Sequence, residues 1–382
     1  MPTLKRRVAS RRFGSRLRRG SGVVIAAVVV SATTADAAPE VSPRGRIHLD
    51  AAYHFRNQDA PFADGLTTRR IRLGLDGDLD AWQARIEFDF AEEGIGAREV
   101  RARRDIGRGR LWIGQLKVPM SLDELTISND TLFLERSTPA TIIADGFRLG
   151  LAYSLDDDPG GLMAMGFGRA IGDSAAGTMP HGLAGRGYLS PSVGPHRLHV
   201  GLSAAFEHRG DATTVAYGDR PEARGADGGT RLIDTGPIDD LRSTLKAGAE
   251  LAVIAGPLSA EAEYLGVRLD RDGESSLYFD GFYLQGSFVM TGESRRYDRG
   301  SIRRPTPERS SGALELATRF SQMRLGDGDV GGGTQQNLTL GLNWHLSDQV
   351  RFMWNIVFSR VRDGVYGDER VFIALARAQF TL

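Results

Sequence analysis

Apolar and polar residues alternate along much of this chain. From 47 to 55, Ile, Leu, Ala, Tyr and Phe occupy every second position, and most residues between them are polar. Only an extended strand sorts side chains with a period of two onto opposite faces. The same alternation recurs in 82–90 and in 338–346, where aromatic and aliphatic side chains are interleaved with charged or amide ones. The pattern therefore predicts an all-β protein.

Such segments recur along the chain at lengths of about ten residues, which is the length that a tilted strand needs to cross an outer membrane. We predict about sixteen strands, at 46–55, 66–76, 81–90, 97–106, 109–118, 146–155, 161–169, 181–189, 196–207, 242–253, 258–269, 279–289, 312–320, 336–346, 350–359 and 371–380. The number is even and lies in the range of single-chain bacterial barrels.

The joins between these strands fall into two kinds. The short joins are mostly rich in Gly, Asp or Pro, as tight turns require, and lie at 76–80, 105–109, 156–161, 255–257 and 347–349. The long joins lie at 57–65, 210–240, 292–311 and 325–334. Short periplasmic turns on one rim and longer extracellular loops on the other describe a transmembrane antiparallel β-barrel.

A soluble all-β sandwich or barrel is the alternative, and periodicity alone does not exclude it. A closed barrel of about sixteen strands is, however, too wide for side chains to fill. After residue 37 the chain has no apolar run of roughly eighteen residues, so no membrane-spanning helix is predicted.

The first 37 residues have the composition of a secretory signal. Eight basic residues precede the apolar run 23–30, and Ala35-Asp36-Ala37 matches an A-x-A cleavage site. We predict a cleavable signal peptide at 1–37 and one barrel domain at 38–382; a membrane anchor would need a longer apolar run. The remaining chain holds 40 basic and 47 acidic residues, a formal charge of −7, which gives no general attraction to nucleic acid.

Five short motifs follow one another along the chain. They are GQLKVPMSLDELT at 114–126, FLER at 133–136, TGESRRY at 291–297, GALELATRFS at 312–321 and GLNW at 341–344. In series they resemble the phosphate-selective porin O and P family. The resemblance implies a sixteen-stranded barrel in the outer membrane, commonly a homotrimer, through which phosphate-like anions diffuse past a constriction lined by cations.

The two-residue period also predicts which side chains face the lumen. The apolar residues of 66–76 and 97–106 are assigned to the lipid side, which turns the intervening cations inward, and in 109–118 Trp112 is assigned to the lipid side and Lys117 to the lumen. The predicted anion path consists of inward-facing cations: Arg70, Arg72, Arg101, Arg103, Lys117, Lys246 and Arg319. The alternative is that neighbouring carboxylates such as Glu87 and Glu99 neutralise these cations in structural ion pairs.

The stretch 120–140 breaks the alternation after Pro119. Ser121 precedes Leu122-Asp123-Glu124-Leu125, which predicts a helix start with acids in the first turn. We expect this stretch to fold into the lumen and form the constriction, mainly because the family resemblance implies it and partly because long loops tend to be functional; barrel interiors can be narrowed by loops. The alternative is a loop that caps the outer rim.

No other chemistry is indicated by the residues. The seven histidines lack metal-ligand spacing, and the chain has no nucleophile elbow or phosphate-binding loop. We therefore expect no enzyme activity, no cofactor and no metal. The predicted function is a water-filled pore for passive diffusion of small anions such as phosphate or polyphosphate. The alternatives are a weakly selective diffusion porin, and an outer-membrane barrel with a closed lumen and an enzymatic or structural role.

Overall fold

The structure is a computed structural model that describes residues 40–55, 60–91, 94–173, 177–225 and 229–382. The predicted signal peptide at 1–37 lies outside these residues. Within the described part of the chain, no helix is both long and apolar enough to span a membrane.

Sixteen antiparallel strands form one continuous wall: β1 (Glu40–Phe55), β2 (Gly65–Leu79), β3 (Trp82–Asp89), β4 (Gly96–Ile106), β5 (Gly109–Lys117), β6 (Phe147–Asp157), β7 (Gly160–Phe167), β8 (His181–Leu189), β10 (His196–His208), β13 (Leu241–Ala255), β14 (Leu258–Arg271), β15 (Leu277–Val289), β18 (Ala313–Asp327), β19 (Val330–His345), β20 (Val350–Gly364) and β21 (Gly367–Thr381). The short elements are β9 (Ser192–Val193), β11 (Gly218–Asp219), β12 (Ile233–Asp234), β16 (Arg296–Asp298), β17 (Ser301–Arg303), α1 (Leu122–Leu125) and α2 (Thr138–Ile143).

The wall closes on itself. Each wall strand pairs antiparallel with the next along the chain, and β1 also pairs with β21, in a register that runs from Arg46 opposite Thr381 to Phe55 opposite Phe372. Closure satisfies the backbone groups of every wall strand and leaves no free edge. The predicted sixteen-stranded barrel is confirmed.

Polar and apolar side chains are distributed in the reverse of a soluble protein. The side chains of Arg319 and Arg377 are each 2% exposed inside the barrel, whereas Leu340 and Trp354 are 45% and 42% exposed on its outer surface. An outer apolar surface around a polar interior is typical of barrels whose outside faces lipid. The alternation described for 338–346 therefore places the apolar residues on the correct side.

The wall has two heights. Strands β3–β8, named here the short wall, contain 8 to 11 residues each. Strands β13–β15 and β18–β21, named here the tall wall, contain 13 to 16 residues each.

Two of the predicted long joins were wrong. The expected loop at 325–334 is a two-residue turn, because β18 and β19 continue as a paired ladder to Asp327 opposite Val330; the glycines at 331–333 are accommodated in this ladder. The join between β15 and β18 is long, but it lies on the rim of the short turns, since β15 runs towards the rim that holds the turn at 256–257. Strand direction, and not loop length, fixes the rim.

Candidate functional site

The chain between β5 and β6, residues 118–146, lies inside the barrel. Its first helix, α1, begins at Leu122 after Ser121, whose side chain accepts a hydrogen bond from the Glu124 N–H at 3.2 Å. The Ser121 hydroxyl and the Leu122 N–H in turn donate to Glu263 of β14, at 2.9 and 3.0 Å. The predicted helix start and the predicted in-folded segment are both confirmed.

The middle of segment 118–146 is held against the tall wall by buried arginines. Arg377 donates to the Leu134 carbonyl at 2.7 Å, and Arg351 donates to the Thr131 carbonyl at 2.9 Å. The guanidinium of Arg319 lies 4.5 Å from the centre of the Phe133 ring. Segment 118–146 therefore crosses the lumen from the short wall and packs against the opposite side.

Two further segments reach into the lumen. In the described part of segment 209–240, Glu222 accepts hydrogen bonds from the Thr138 N–H at 3.0 Å and from Arg319 Nε at 2.9 Å. From the short-turn rim, the hairpin β16–β17 enters: Arg303 contacts Asp130 at 3.2 Å, and Gly300 O accepts from Arg186 at 2.8 Å. Neither inward fold was expected from the sequence, because both segments lack strand periodicity and turn signals that fix their direction.

A cavity of about 530 Å³ remains between the short wall, the start of segment 118–146 and the hairpin β16–β17. It lies towards the short-turn rim, because many of its lining residues stand within a few positions of the turns at 80–81, 107–108 and 158–159. Its charged lining comprises seven arginines and four aspartates: Arg85, Arg101, Arg103, Arg110, Arg186, Arg299, Arg303, Asp76, Asp78, Asp156 and Asp298.

Arg101 and Arg103 share one aromatic neighbour in this cavity. Their guanidinium carbons lie 4.8 and 5.3 Å from the centre of the Trp112 ring, and the indole N–H donates to the Ser154 hydroxyl at 2.9 Å. The prediction that Trp112 faces lipid was therefore wrong. Gly114 has φ +115° and approaches Val100 so closely that a Cβ would lie 2.2 Å from its carbonyl oxygen; this irregularity interrupts the alternation on which the prediction rested.

The two arginines differ in their other partners. Arg101 Nε contacts Glu99 at 2.9 Å, whereas Arg103 Nε donates to the neutral Gln83 side chain at 2.6 Å. Within the described residues, Arg103 has no carboxylate within ion-pair distance.

The other predicted path residues lie elsewhere in the lumen. Arg72 pairs with Asp89 at 2.8 Å, and Lys117 contacts Glu124 of segment 118–146 at 3.1 Å. Arg70, which is 6% exposed, contacts the His48 ring at 3.4 Å. These three cations lie nearer the long-loop rim than the cavity does.

Lys246 and Arg319 are buried in ion pairs that hold the inner segments. Lys246 pairs with Asp145 at 2.8 Å, and Arg319 pairs with Glu222 through Nε at 2.9 Å. The structure thus groups Arg101 and Arg103 with five arginines that parity reasoning had not selected. Arg85 could have been found, because it shares the inward parity of Glu87. Arg299 and Arg303 could not have been found, because the sequence of their hairpin has no alternation that predicts the direction of a side chain.

Segment 118–146 also carries a largely buried acid, Glu135, opposite Arg69 of β2. Glu135 receives hydrogen bonds from Arg69 at 2.6 and 2.9 Å. Burial opposes its ionisation most strongly, but the hydrogen bonds and charge of Arg69, together with the charges of Arg224 and Arg70, outweigh burial and hold the pKa of Glu135 well below its usual value. Arg69 reaches this position because the β1–β2 ladder shifts register between His48 and Leu49.

Within the described residues, no group of three or more histidine, aspartate or glutamate side chains is arranged to hold a metal ion.

A closed sixteen-stranded barrel with a polar interior and segments folded into its lumen is a porin by its architecture. Residues 41–382 match the family model described as phosphate-selective porin O and P, and the chain belongs to this family.

Two sequences and one solved structure illustrate what this chain is similar to. An uncharacterized protein of Caulobacter vibrioides is 28% identical over 337 residues, which cover 82% of this chain and 67% of that protein. Porin O of Pseudomonas aeruginosa is 27% identical over 185 residues, 40% of this chain and 42% of that protein. Among solved structures, the anion-selective porin from Comamonas acidovorans superposes with a TM-score of 0.54 at 16% identity, covering 90% of this chain and all of that one; this likeness concerns the fold.

Proposed function

We propose that this porin is a passive channel for small anions, of the phosphate or polyphosphate type, through the outer membrane. The observation that carries the proposal is the lining of the cavity, where seven arginines face four aspartates. The acids that pair with Arg101 and Arg186, namely Glu99 and Glu250, stand outside the lining. Within the lining, Arg85 pairs with Asp76 at 2.6 Å and Arg110 pairs with Asp156 at 2.8 Å, but the arginines outnumber the aspartates by seven to four. A solute in the cavity therefore meets an excess of guanidinium groups, and these bind phosphate and carboxylate oxygens well.

The alternative function, a weakly selective diffusion porin, depends on the same ion pairs. If the acids behind the lining cancel the arginines at the distance of a passing ion, the protein is a weakly selective diffusion porin. The cation that separates the two functions is Arg103, whose nearest side-chain partner is the neutral Gln83. In a narrow pore with low-dielectric walls such a charge acts more strongly than at an open surface.

The test is the reversal potential of the purified protein in a planar bilayer under a salt gradient. We expect anion preference, and a fall of about tenfold in the anion-to-cation permeability ratio for Arg101→Glu/Arg103→Glu. A unit charge at about 4 Å in water contributes roughly 1 kcal/mol, and salt screening lowers this contribution at the distance of a passing ion. The reversal of two charges is therefore expected to change the ratio by on the order of 1.4 kcal/mol, which is tenfold.

The matched control is Arg360→Glu/Arg362→Glu, which makes the same change of charge on the outer face of β20, where both side chains are exposed. This variant should keep the permeability ratio of the unmodified protein. Cation preference in the unmodified protein contradicts the proposal, and a complete lack of conductance indicates a closed barrel instead.

The proposal extends to export and assembly. Residues 1–37 direct the chain through the inner membrane and are then removed, and three copies associate through the short wall. Four of the six short-wall strands, β3, β5, β7 and β8, contain only 8 or 9 residues. Tilted by about 40°, such a strand rises only about 21–23 Å, which is less than the apolar band of about 25 Å. The short wall is therefore better covered by a second copy than by lipid.

A further inference from the structure

The cavity also has an apolar side that inorganic anions do not use. Trp112, Met163 and Tyr188 line it from the short wall, and Pro119 and Leu125 line it from segment 118–146. Inward positions of a membrane barrel normally carry polar side chains, because they face water. An apolar group beside a cluster of arginines is therefore unexplained by the passage of chloride or phosphate alone.

The arginines next to this apolar group keep donors available. Arg101 uses Nε for Glu99, and Arg103 uses Nε for Gln83, so that within the described residues the terminal nitrogens of Arg103 have no hydrogen-bond partner. Both guanidinium groups lie within about 5 Å of the Trp112 ring centre. Contact with an aromatic ring leaves the N–H groups at the guanidinium edge free for a bidentate carboxylate or phosphate.

We infer that this cavity is a binding subsite for organic anions that join a carboxylate or phosphate group to an aromatic or other apolar portion. The charged end lies at the edges of Arg101 and Arg103, and the apolar portion covers Met163 and the exposed edge of Trp112. The inference rests on the proposed anion channel and narrows its substrate class. Burial of the apolar portion stabilises the bound state, so such anions pass more slowly and block smaller ions.

The experiment compares two probes with the same head group, phenyl phosphate and inorganic phosphate, as blockers of chloride current through single channels. We expect phenyl phosphate to reach half-block at a concentration about tenfold lower, because its ring buries apolar surface that inorganic phosphate lacks. Equal half-blocking concentrations overturn the inference. They leave the proposed function intact, since the reversal potential measures anion preference separately.

Variants locate the subsite. Trp112→Gln should remove most of the difference between the two probes, and Met163→Ser, in the neighbouring part of the wall, should reduce it even if the first variant fails to fold. Arg103→Gln should weaken block by both probes to a similar extent. Unchanged discrimination in both Trp112→Gln and Met163→Ser overturns the inference.

Trp82→Gln is the matched control. Trp82 lies on the opposite face of the same wall, 5.9 Å from the guanidinium of Arg104, and so repeats the tryptophan–arginine pair outside the lumen. Its substitution should leave the discrimination between phenyl phosphate and inorganic phosphate as it is in the unmodified protein. A loss as large as that of Trp112→Gln assigns the effect to the wall's stability and overturns the inference.

Discussion

Arg377 joins three parts of the barrel that are far apart in the sequence. It projects from β21, forms a bidentate pair with Asp50 of β1 at 2.7 Å through each contact, and donates to the Leu134 carbonyl at 2.7 Å. Both side chains are almost completely buried. One residue therefore fixes the closing seam of the wall and the in-folded segment together.

Arg377→Met should destabilise the barrel by about 3–5 kcal/mol, because it leaves the carboxylate of Asp50 buried without its partner. Arg377→Lys should cost less, since it keeps the charge and loses the bidentate geometry. The measurement is the urea midpoint of unfolding in lipid vesicles, followed by tryptophan fluorescence. Arg360→Met on the outer face is the control, and an Arg377→Met midpoint equal to that of the control contradicts the expectation.

At the scale of residues, the sequence predicts a side chain's direction where the strand is regular. The inward positions of Arg101 and Arg103 follow from alternation with Val100 and Ala102, and the structure places both in the cavity. Trp112 was misassigned because Gly114, two positions on, has a backbone conformation that the two-residue period does not anticipate. The role of these cations in transport remains a prediction.

At the scale of elements, the hairpin β16–β17 narrows the cavity from the short-turn rim. Asp298, Arg299, Ser301 and Arg303 supply part of the cavity lining. The hairpin is held by Tyr297, whose hydroxyl lies 2.7 Å from His199 Nδ1. The lining of the cavity at this rim thus comes partly from a segment that does not belong to the wall.

Replacement of residues 296–303 by a short Gly-Ser linker, which keeps the buried ion pair of Arg295 with Glu315, should raise single-channel conductance, because lining side chains leave the cross-section of the cavity. Anion preference should persist, since Arg101, Arg103 and Arg110 belong to the wall. The control replaces the turn at 272–276 on the other rim, between β14 and β15, which should leave the conductance unchanged. An unaltered conductance in the hairpin replacement would show that the hairpin does not limit flow.

The sequence predicted elements well where they belong to the wall and poorly where they do not. All sixteen wall strands lie at or near the predicted positions, because alternation is imposed by lipid on one side and water on the other. The inward folds of 209–240 and 290–312 depend on long-range ion pairs such as Arg319 with Glu222 and Arg295 with Glu315. Local sequence patterns do not predict contacts between residues so far apart in the chain.

At the scale of the whole molecule, the lumen is divided. Segment 118–146 fills the side next to the tall wall through contacts to β14, β18, β20 and β21, and the cavity lies beside the short wall. Outward aromatic side chains such as Phe282, Phe320 and Trp354 lie on the tall wall, where lipid contact requires them. The proposed trimer places the short walls together at its centre.

Native mass spectrometry of the detergent-solubilised protein should therefore detect three copies. Ile113→Gln/Leu151→Gln, on the outer face of the short wall, should lower the trimeric fraction, because both side chains are about half exposed in a single copy. Leu340→Gln/Ile356→Gln on the tall wall is the control and should leave the trimeric fraction unchanged. A monomer under all detergent conditions contradicts the proposed assembly.

The pairing of β1 with β21 sets the order in which the molecule can mature. These strands are hydrogen-bonded over ten residue pairs, although more than three hundred residues separate them in the chain. Until the final strand arrives, β1 and β20 both present unpaired backbone groups, which invite pairing with other chains. Productive maturation thus requires that the unfinished chain be shielded until its last segment has been delivered, and a product truncated before residue 367 should aggregate.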